Sequence, residues 1–218
     1  MTRVSAVEGY ALWAGTWDAT PSPIVALEQR LLLPWIERLH PRRAVDVGCG
    51  TGRWAAPLEA IGLDASPAML AIAARKPPLR GRLAVADAAA LPIAPESADL
   101  VLCTLTLGHV RRQAAAMAEL SRILEPGGTL ILSDFHPAAA AQGWRRTFRH
   151  DGHLYQLENH PYTLDRLRDA APSLALRECV EAAFGEPERA IFQQAGKPEL
   201  FEAARHIPAV LLTLWNCV

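Results

Sequence analysis

Apolar residues recur at helical spacing from about Val25 to Leu39 within "PIVALEQRLLLPWIERLH", which predicts a helix kinked or broken at Pro34. The pattern then alternates. "RAVDVG" (43–48), "IGLD" (61–64), "RLAVAD" (82–87), "ADLVLCTLTL" (98–107) and "TLILSDF" (129–135) are short apolar runs that predict buried strands. Between them, "TGRWAAPLEA" (51–60) predicts a short helix. "SPAMLAIAARK" predicts a helix with Ser66 as N-cap and Pro67 in its first turn. "RRQAAAMAELSRIL" predicts a third, stopped by "EPGG". Strands alternating with helices imply an α/β fold with a doubly wound parallel sheet.

After residue 136 the periodicity fades. "HPAAAAQGWRRTFRHDGHLYQLENHPYT" is polar and aromatic and reads as loop or irregular strand. "LDRLRDAA" then predicts a helix, "ALRECVEAAF" a strand, "PELFEAARHI" a helix and "AVLLTLWNCV" a last strand. Near the N-terminus, Tyr10, Trp13 and Trp17 stand at roughly helical spacing.

Half of the 218 residues are apolar, enough for a well-filled core, and the formal net charge of −1 argues against a broad basic surface for nucleic acid. Cys49, Cys103, Cys179 and Cys217 show neither disulfide-like nor zinc-like spacing, which suits reduced thiols in a cytoplasmic protein. No signal-peptide pattern and no apolar run of the ~18–20 residues needed to span a bilayer is present, so no membrane partner is expected.

The chemistry concentrates in "AVDVGCGTGRWAAPLEAIGLDASPAML". Glycines at a strand-to-helix turn let a ligand approach where a Cβ would collide. Gly48, Gly50 and Gly52 form G-x-G-x-G; the dinucleotide fingerprint G-x-G-x-x-G fails at Arg53, and no G-K-[ST] follows. Asp46, two residues before the first glycine, disfavours a pyrophosphate and suits a cation, while Asp64 ends the next strand, where it could accept from ribose hydroxyls. A ligand with a ribose and a positive charge, and no phosphate at the turn, fits S-adenosylmethionine.

These residues resemble the class I S-adenosylmethionine-dependent methyltransferases, in the branch acting on small molecules. The resemblance covers residues 40–136 well, through "VDVGCGTG", "GLDASPAML", "VADAAALP", "SADLVLCTLTLGHV" and "LSRILEPGGTLILSDFHP" in order. It implies a Rossmann-like sheet of about seven strands, mostly parallel with an antiparallel last strand and helices on both faces. It also implies a single domain: an N-terminal helical lid (1–42), a cofactor core (43–135), a substrate-facing insertion (136–165) and a completing C-terminal part (166–218).

Carried over residue by residue, the resemblance implies that Asp46 orients the methionine ammonium and that the Gly48–Gly52 turn, with Cys49 and Thr51, lines the methionine portion. Asp64 would bind the ribose with Ala65 beside the adenine. Asp87 would accept from the adenine amino group with Ala88 at its ring edge, and Cys103 or Thr104 would offer a backbone carbonyl. Tyr10 and Trp17 would close over the sulfonium, whose charge favours an aromatic face. The interval from Asp46 to Asp64 is shorter than the family's usual one. A helix of about ten residues at ~1.5 Å rise spans about 15 Å, just enough to return along a five-residue strand.

His109, His136 and His153 are candidates for a base or for orienting the acceptor. Arg145, Arg146 and Arg149 form a basic cluster, and Arg145, Arg149, His150, Tyr155 and His160 are candidates for binding the acceptor. The histidines of "RHDGHLYQLENHP" lack metal-ligand spacing, and no metal is expected. No [DNS]-P-P-[YF] and no Pro-Cys pair follows the fourth strand, so the expected partner is a small-molecule methyl acceptor rather than nucleic acid. A non-catalytic binder of the same cofactor remains the alternative, and a nicotinamide-dependent dehydrogenase is disfavoured by Arg53. Oligomeric state is not readable from the sequence.

Overall fold

The computed structural model describes residues 1–218. A short strand β1 (Thr2–Val4) leads into α1 (Ala6–Trp13), a 3₁₀ turn at Trp17–Ala19 and the long helix α2 (Pro23–Leu39). The core then runs β2 (Ala44–Val47), β3 (Ile61–Asp64), α3 (Pro67–Ala73), β4 (Leu83–Val85), β5 (Ala98–Thr104), α4 (Gln113–Arg122) and β6 (Leu124–Phe135). The remainder comprises α5 (Pro137–Ala141), β7 (Thr147–His150), β8 (His153–Leu157), α6 (Leu164–Ala170), β9 (Leu174–Ala182), α7 (Glu186–Gln194), α8 (Phe201–Ala204) and β10 (Val210–Cys217).

Seven strands form one sheet in the order β4-β3-β2-β5-β6-β10-β9. The first five are parallel, while β10 runs antiparallel to both β6 and β9. Strand alternation sends side chains to two cores. Leu100 and Leu102 of β5 join Leu212 and Leu214 of β10 under α2, α7 and α8; Val101 and Cys103 face the opposite layer, with Met117 and Leu120 of α4. Helices therefore cover both faces, and ligands are expected at the carboxyl ends of the parallel strands.

Several elements depart from the periodicity. Residues 51–60 make hydrogen-bonded turns instead of an α-helix. Pro57 lacks an N–H and biases Ala56 away from helical backbone. The crossover still returns: Ala56 N–H donates to Gly52 O at 3.1 Å, and Ala60 N–H to Ala55 O at 2.9 Å. Helix α2 continues through Pro34 without a break. "EPGG" lies inside β6, where the register against β5 shifts between Ala98 and Leu100.

The aperiodic stretch contains a hairpin. β7 and β8 pair antiparallel around Asp151–Gly152, both with positive φ (46° and 76°), as a two-residue I′ turn requires. β1 adds to β8 in parallel, so a second, three-stranded sheet ties the N-terminus to this segment. Helix α7 is a further element that the periodicity did not single out. No helix is long and apolar enough to cross a membrane.

Candidate active site

A cavity of about 790 Å³ opens at the carboxyl ends of β2, β3 and β5. Gly48 and Gly50 line its floor, whereas Gly52 faces Leu79 and Ala73 in the core and does not border it. Gly48 has φ +75°, and a Cβ there would stand 2.2 Å from Thr106 Oγ1, so both backbone shape and space require glycine. Asp64 holds the turn, accepting from Gly50 N–H and Ser66 N–H at 2.8 Å each. Burial pushes its carboxyl above the usual carboxylate range, against those two backbone donors.

Asp46 is 1 % exposed, lines the cavity, and its Oδ1 is buried without a hydrogen-bond partner. Desolvation pushes its pKa up to about 7, against the pull of Arg53. A buried, unsatisfied carboxylate calls for a cationic partner. The same wall carries no phosphate-binding lysine at the turn, so the residues fit a ligand with a ribose and an ammonium.

The other sequence-derived cofactor positions separate. Cys49, Thr51, Ala65, Ala88, Thr104, Tyr10 and Trp17 all line this cavity. Of the two candidates for a backbone carbonyl, Thr104 borders the cavity and Cys103, packed within the core, does not. Asp87 lies at the exposed rim, where it accepts from Ala89 N–H at 2.9 Å and from Arg112 Nη2 at 2.7 Å. Those two contacts hold its carboxyl below the usual range.

A second cavity of about 910 Å³ lies beyond the first, and the two share Tyr10, Trp17 and Leu105. Tyr10 and Trp17 meet edge to face at 5.4 Å between centroids, and Trp13 stacks on Phe148 at 4.7 Å. The N-terminal segment and the β7–β8 hairpin thus build one aromatic wall. Arg145 and Arg149 line this second cavity; His150, His153, Tyr155 and His160 line neither.

His109 lines the first cavity, but its ring is engaged on both sides. Nδ1 is 2.9 Å from Glu158 O, which only accepts, so Nδ1 carries the proton. Nε2 then accepts from Arg146 Nη1 at 2.6 Å, with Tyr10 Oη 3.1 Å away. Burial first, and Arg146 second, hold its pKa down at about 3. His109 is therefore a neutral strut. His136 caps α5, accepting from Ala138 N–H at 3.0 Å through Nδ1, and faces neither cavity.

Arg146, which the sequence offered only as a member of the basic cluster, meets here Asp134, which the sequence did not single out. Arg146 lies 12 % exposed between the cavities, paired with buried Asp134 and donating to Leu105 O at 2.7 Å. Asp134 also accepts from Gly108 N–H and, at 2.7 Å, from Phe135 N–H. Its place at the carboxyl end of β6 was the signal that could have found it.

Fold and site together describe an α/β protein with a ligand cavity at the carboxyl ends of its parallel strands. The methyltransferase domain family matches residues 45–132. Malonyl-[acyl-carrier protein] O-methyltransferase 1 of Coxiella burnetii is 30% identical over 206 residues, covering 90% of this chain and 67% of that protein. Demethylmenaquinone methyltransferase of Thermus thermophilus is 38% identical over 107 residues, covering 44% of this chain and 49% of that one. The chain spans about half the length of several such curated relatives. A solved S-adenosylmethionine-dependent methyltransferase from Mesorhizobium loti shares the fold (TM-score 0.67, 23% identity, 89% of this chain and 100% of that one). The chain belongs to the S-adenosylmethionine-dependent methyltransferases, and S-adenosylmethionine is its cofactor.

Proposed function

We propose that the protein catalyses methyl transfer from S-adenosylmethionine to a small-molecule acceptor seated in the second cavity. The observation that carries this is the meeting of the two cavities at Tyr10, Trp17 and Leu105. The cofactor, when bound, supplies an electrophilic methyl group on sulfur. Asp46 takes its ammonium, the Gly48–Gly52 turn follows its amino-acid portion, and Asp64 accepts from its ribose. Asp87 and Ala88 flank the adenine. Thr104 borders the amino-acid end, and Tyr10 and Trp17 stand where the sulfonium meets the acceptor.

The chain's own work is orientation and exclusion of water, which contributes up to roughly 7–11 kcal/mol in favourable cases. Relatives named for demethylmenaquinone and for malonyl-[acyl-carrier protein] support a small or carrier-borne acceptor over nucleic acid. The free thiols suit a cytoplasmic location.

Thermal unfolding tests the reading. S-adenosylmethionine or S-adenosylhomocysteine at about 100 times its Kd stabilises by roughly 2.7 kcal/mol, a rise of several degrees for a domain of this size. A shift with both adenosyl ligands and none with NAD is expected. A shift with NAD alone, or with none of the three, overturns it.

A further inference from the structure

The second cavity carries charge of one sign. Arg145, Arg146, Arg149 and Lys197 line it, and no Asp, Glu or His does. Arg145, Arg149 and Lys197 have no carboxylate within ion-pair distance, whereas most of the chain's other cations are paired. Arg146 is fixed by Asp134, and its Nε–H is buried without an acceptor. Most of the remaining wall is apolar and aromatic, with Trp13, Trp144 and Phe148 among its residues; Trp144 stacks on Phe184 at 6.0 Å.

From this distribution of charge and apolar surface we infer that the methyl acceptor is an apolar carboxylate, its ring or chain against the tryptophans and Phe148 and its anionic group among the cavity's arginines and Lys197. The inference rests on the methyl-transfer reading and narrows its acceptor. It also accounts for the absence of a base on the acceptor side. A neutral alcohol or phenol would have to give up a proton; no imidazole lines this cavity, and His109, in contact with Arg146 of its wall, already accepts from that guanidinium. A carboxylate arrives deprotonated. One of its oxygen lone pairs forms the bond to the methyl carbon as the carbon–sulfur bond breaks, the electron pair staying on sulfur. An ester and a neutral thioether result, and no proton moves.

Three tryptophans in the wall, Trp13, Trp17 and Trp144, give a direct readout. With the full chain saturated in S-adenosylhomocysteine, tryptophan quenching and calorimetry follow 1-naphthoate and its neutral isostere 1-naphthamide. The acid is expected to bind about tenfold more tightly or better, the scale of a charge-assisted contact. In the combined variant Arg145→Gln, Arg149→Gln, Lys197→Gln that preference is expected to shrink to about twofold, with S-adenosylhomocysteine affinity unchanged. These three side chains are exposed, so the variant is expected to fold, unlike a change at ion-paired Arg146.

Equal binding of acid and amide, or no binding of either up to the solubility limit, overturns the inference even where S-adenosylhomocysteine still stabilises the protein. A preference for the acid without any adenosyl stabilisation overturns methyl transfer and leaves the anion-binding chamber standing.

Discussion

Asp46 carries the strongest consequence of any single residue. Its carboxyl is raised to about 7 in the fold against an ordinary value of 3.8. Between those values the folded state holds a proton that the unfolded chain releases, so this group makes stability fall as pH rises from about 4 to about 7. Above pH 7 the whole penalty is present. Asp46→Asn is therefore expected to raise Tm by a few degrees at pH 8 and to leave it nearly unchanged at pH 4, measured by calorimetry without ligand. A cofactor ammonium needs the ionised form, so S-adenosylhomocysteine affinity is expected to fall up to roughly tenfold per pH unit below 7 in the native protein. The Asn variant is expected to bind weakly with no such slope. A variant that binds as tightly as the native protein would remove Asp46 from the site. This residue was legible because its partners are local: a strand, then three glycines. His109 was not, since Tyr10, Arg146 and Glu158 reach its ring from three distant segments.

At the scale of elements, legibility followed the length of the periodic segment. The core strands and helices α2, α3 and α4 stood out because each repeats its pattern over several residues. The β7–β8 hairpin did not, although Asp151–Gly152 is a strong turn signal. Its strands are short, and their inward positions are completed by α1, as Trp13 on Phe148 shows. Gly9 of α1 is the close-contact point: a Cβ there would lie 2.1 Å from Leu157 Cδ2 and 3.1 Å from Val4 Cγ2. A helix interior otherwise disfavours glycine by roughly 0.5–1 kcal/mol, so packing outweighs propensity here. Gly9→Val is expected to cost about 1–3 kcal/mol by overpacking. Because α1 carries Tyr10 and leads to Trp17, S-adenosylhomocysteine affinity is expected to fall with it. Urea unfolding and calorimetric titration check both. Unchanged stability and affinity would mean that α1 docks without this contact.

Across the whole molecule, one buried ion pair joins the N-terminal layer to the ligand end of the sheet. Glu28 of α2 is 0% exposed, accepts from Ser133 Oγ of β6 at 2.9 Å, and pairs at 2.6 Å with Arg53 of the glycine turn. Arg53 also lies over Trp54, its guanidinium carbon 5.0 Å from the ring centroid. The sequence offered Arg53 only as the residue that breaks the dinucleotide fingerprint. Its partner is 25 positions away on another layer, beyond the reach of any spacing rule. Removing one member of a buried pair leaves the other charge uncompensated, which typically costs about 3–5 kcal/mol. Arg53→Leu is therefore expected to destabilise strongly. It also deletes the one cation that lowers the Asp46 pKa, so adenosyl-ligand affinity at pH 7 is expected to fall further than the loss of a pocket contact alone would give. Glu28→Gln keeps an acceptor for Ser133 and for Arg53, which retains partial solvent access, so its cost is expected to be clearly smaller. Combining the two changes in a double-mutant cycle separates pair from parts: a coupling energy near zero would show that Glu28 and Arg53 act independently. A positive coupling that appears in stability and in affinity at pH 7, and shrinks in affinity at pH 9 where Asp46 is ionised regardless, would tie the ion pair to the charge state of Asp46.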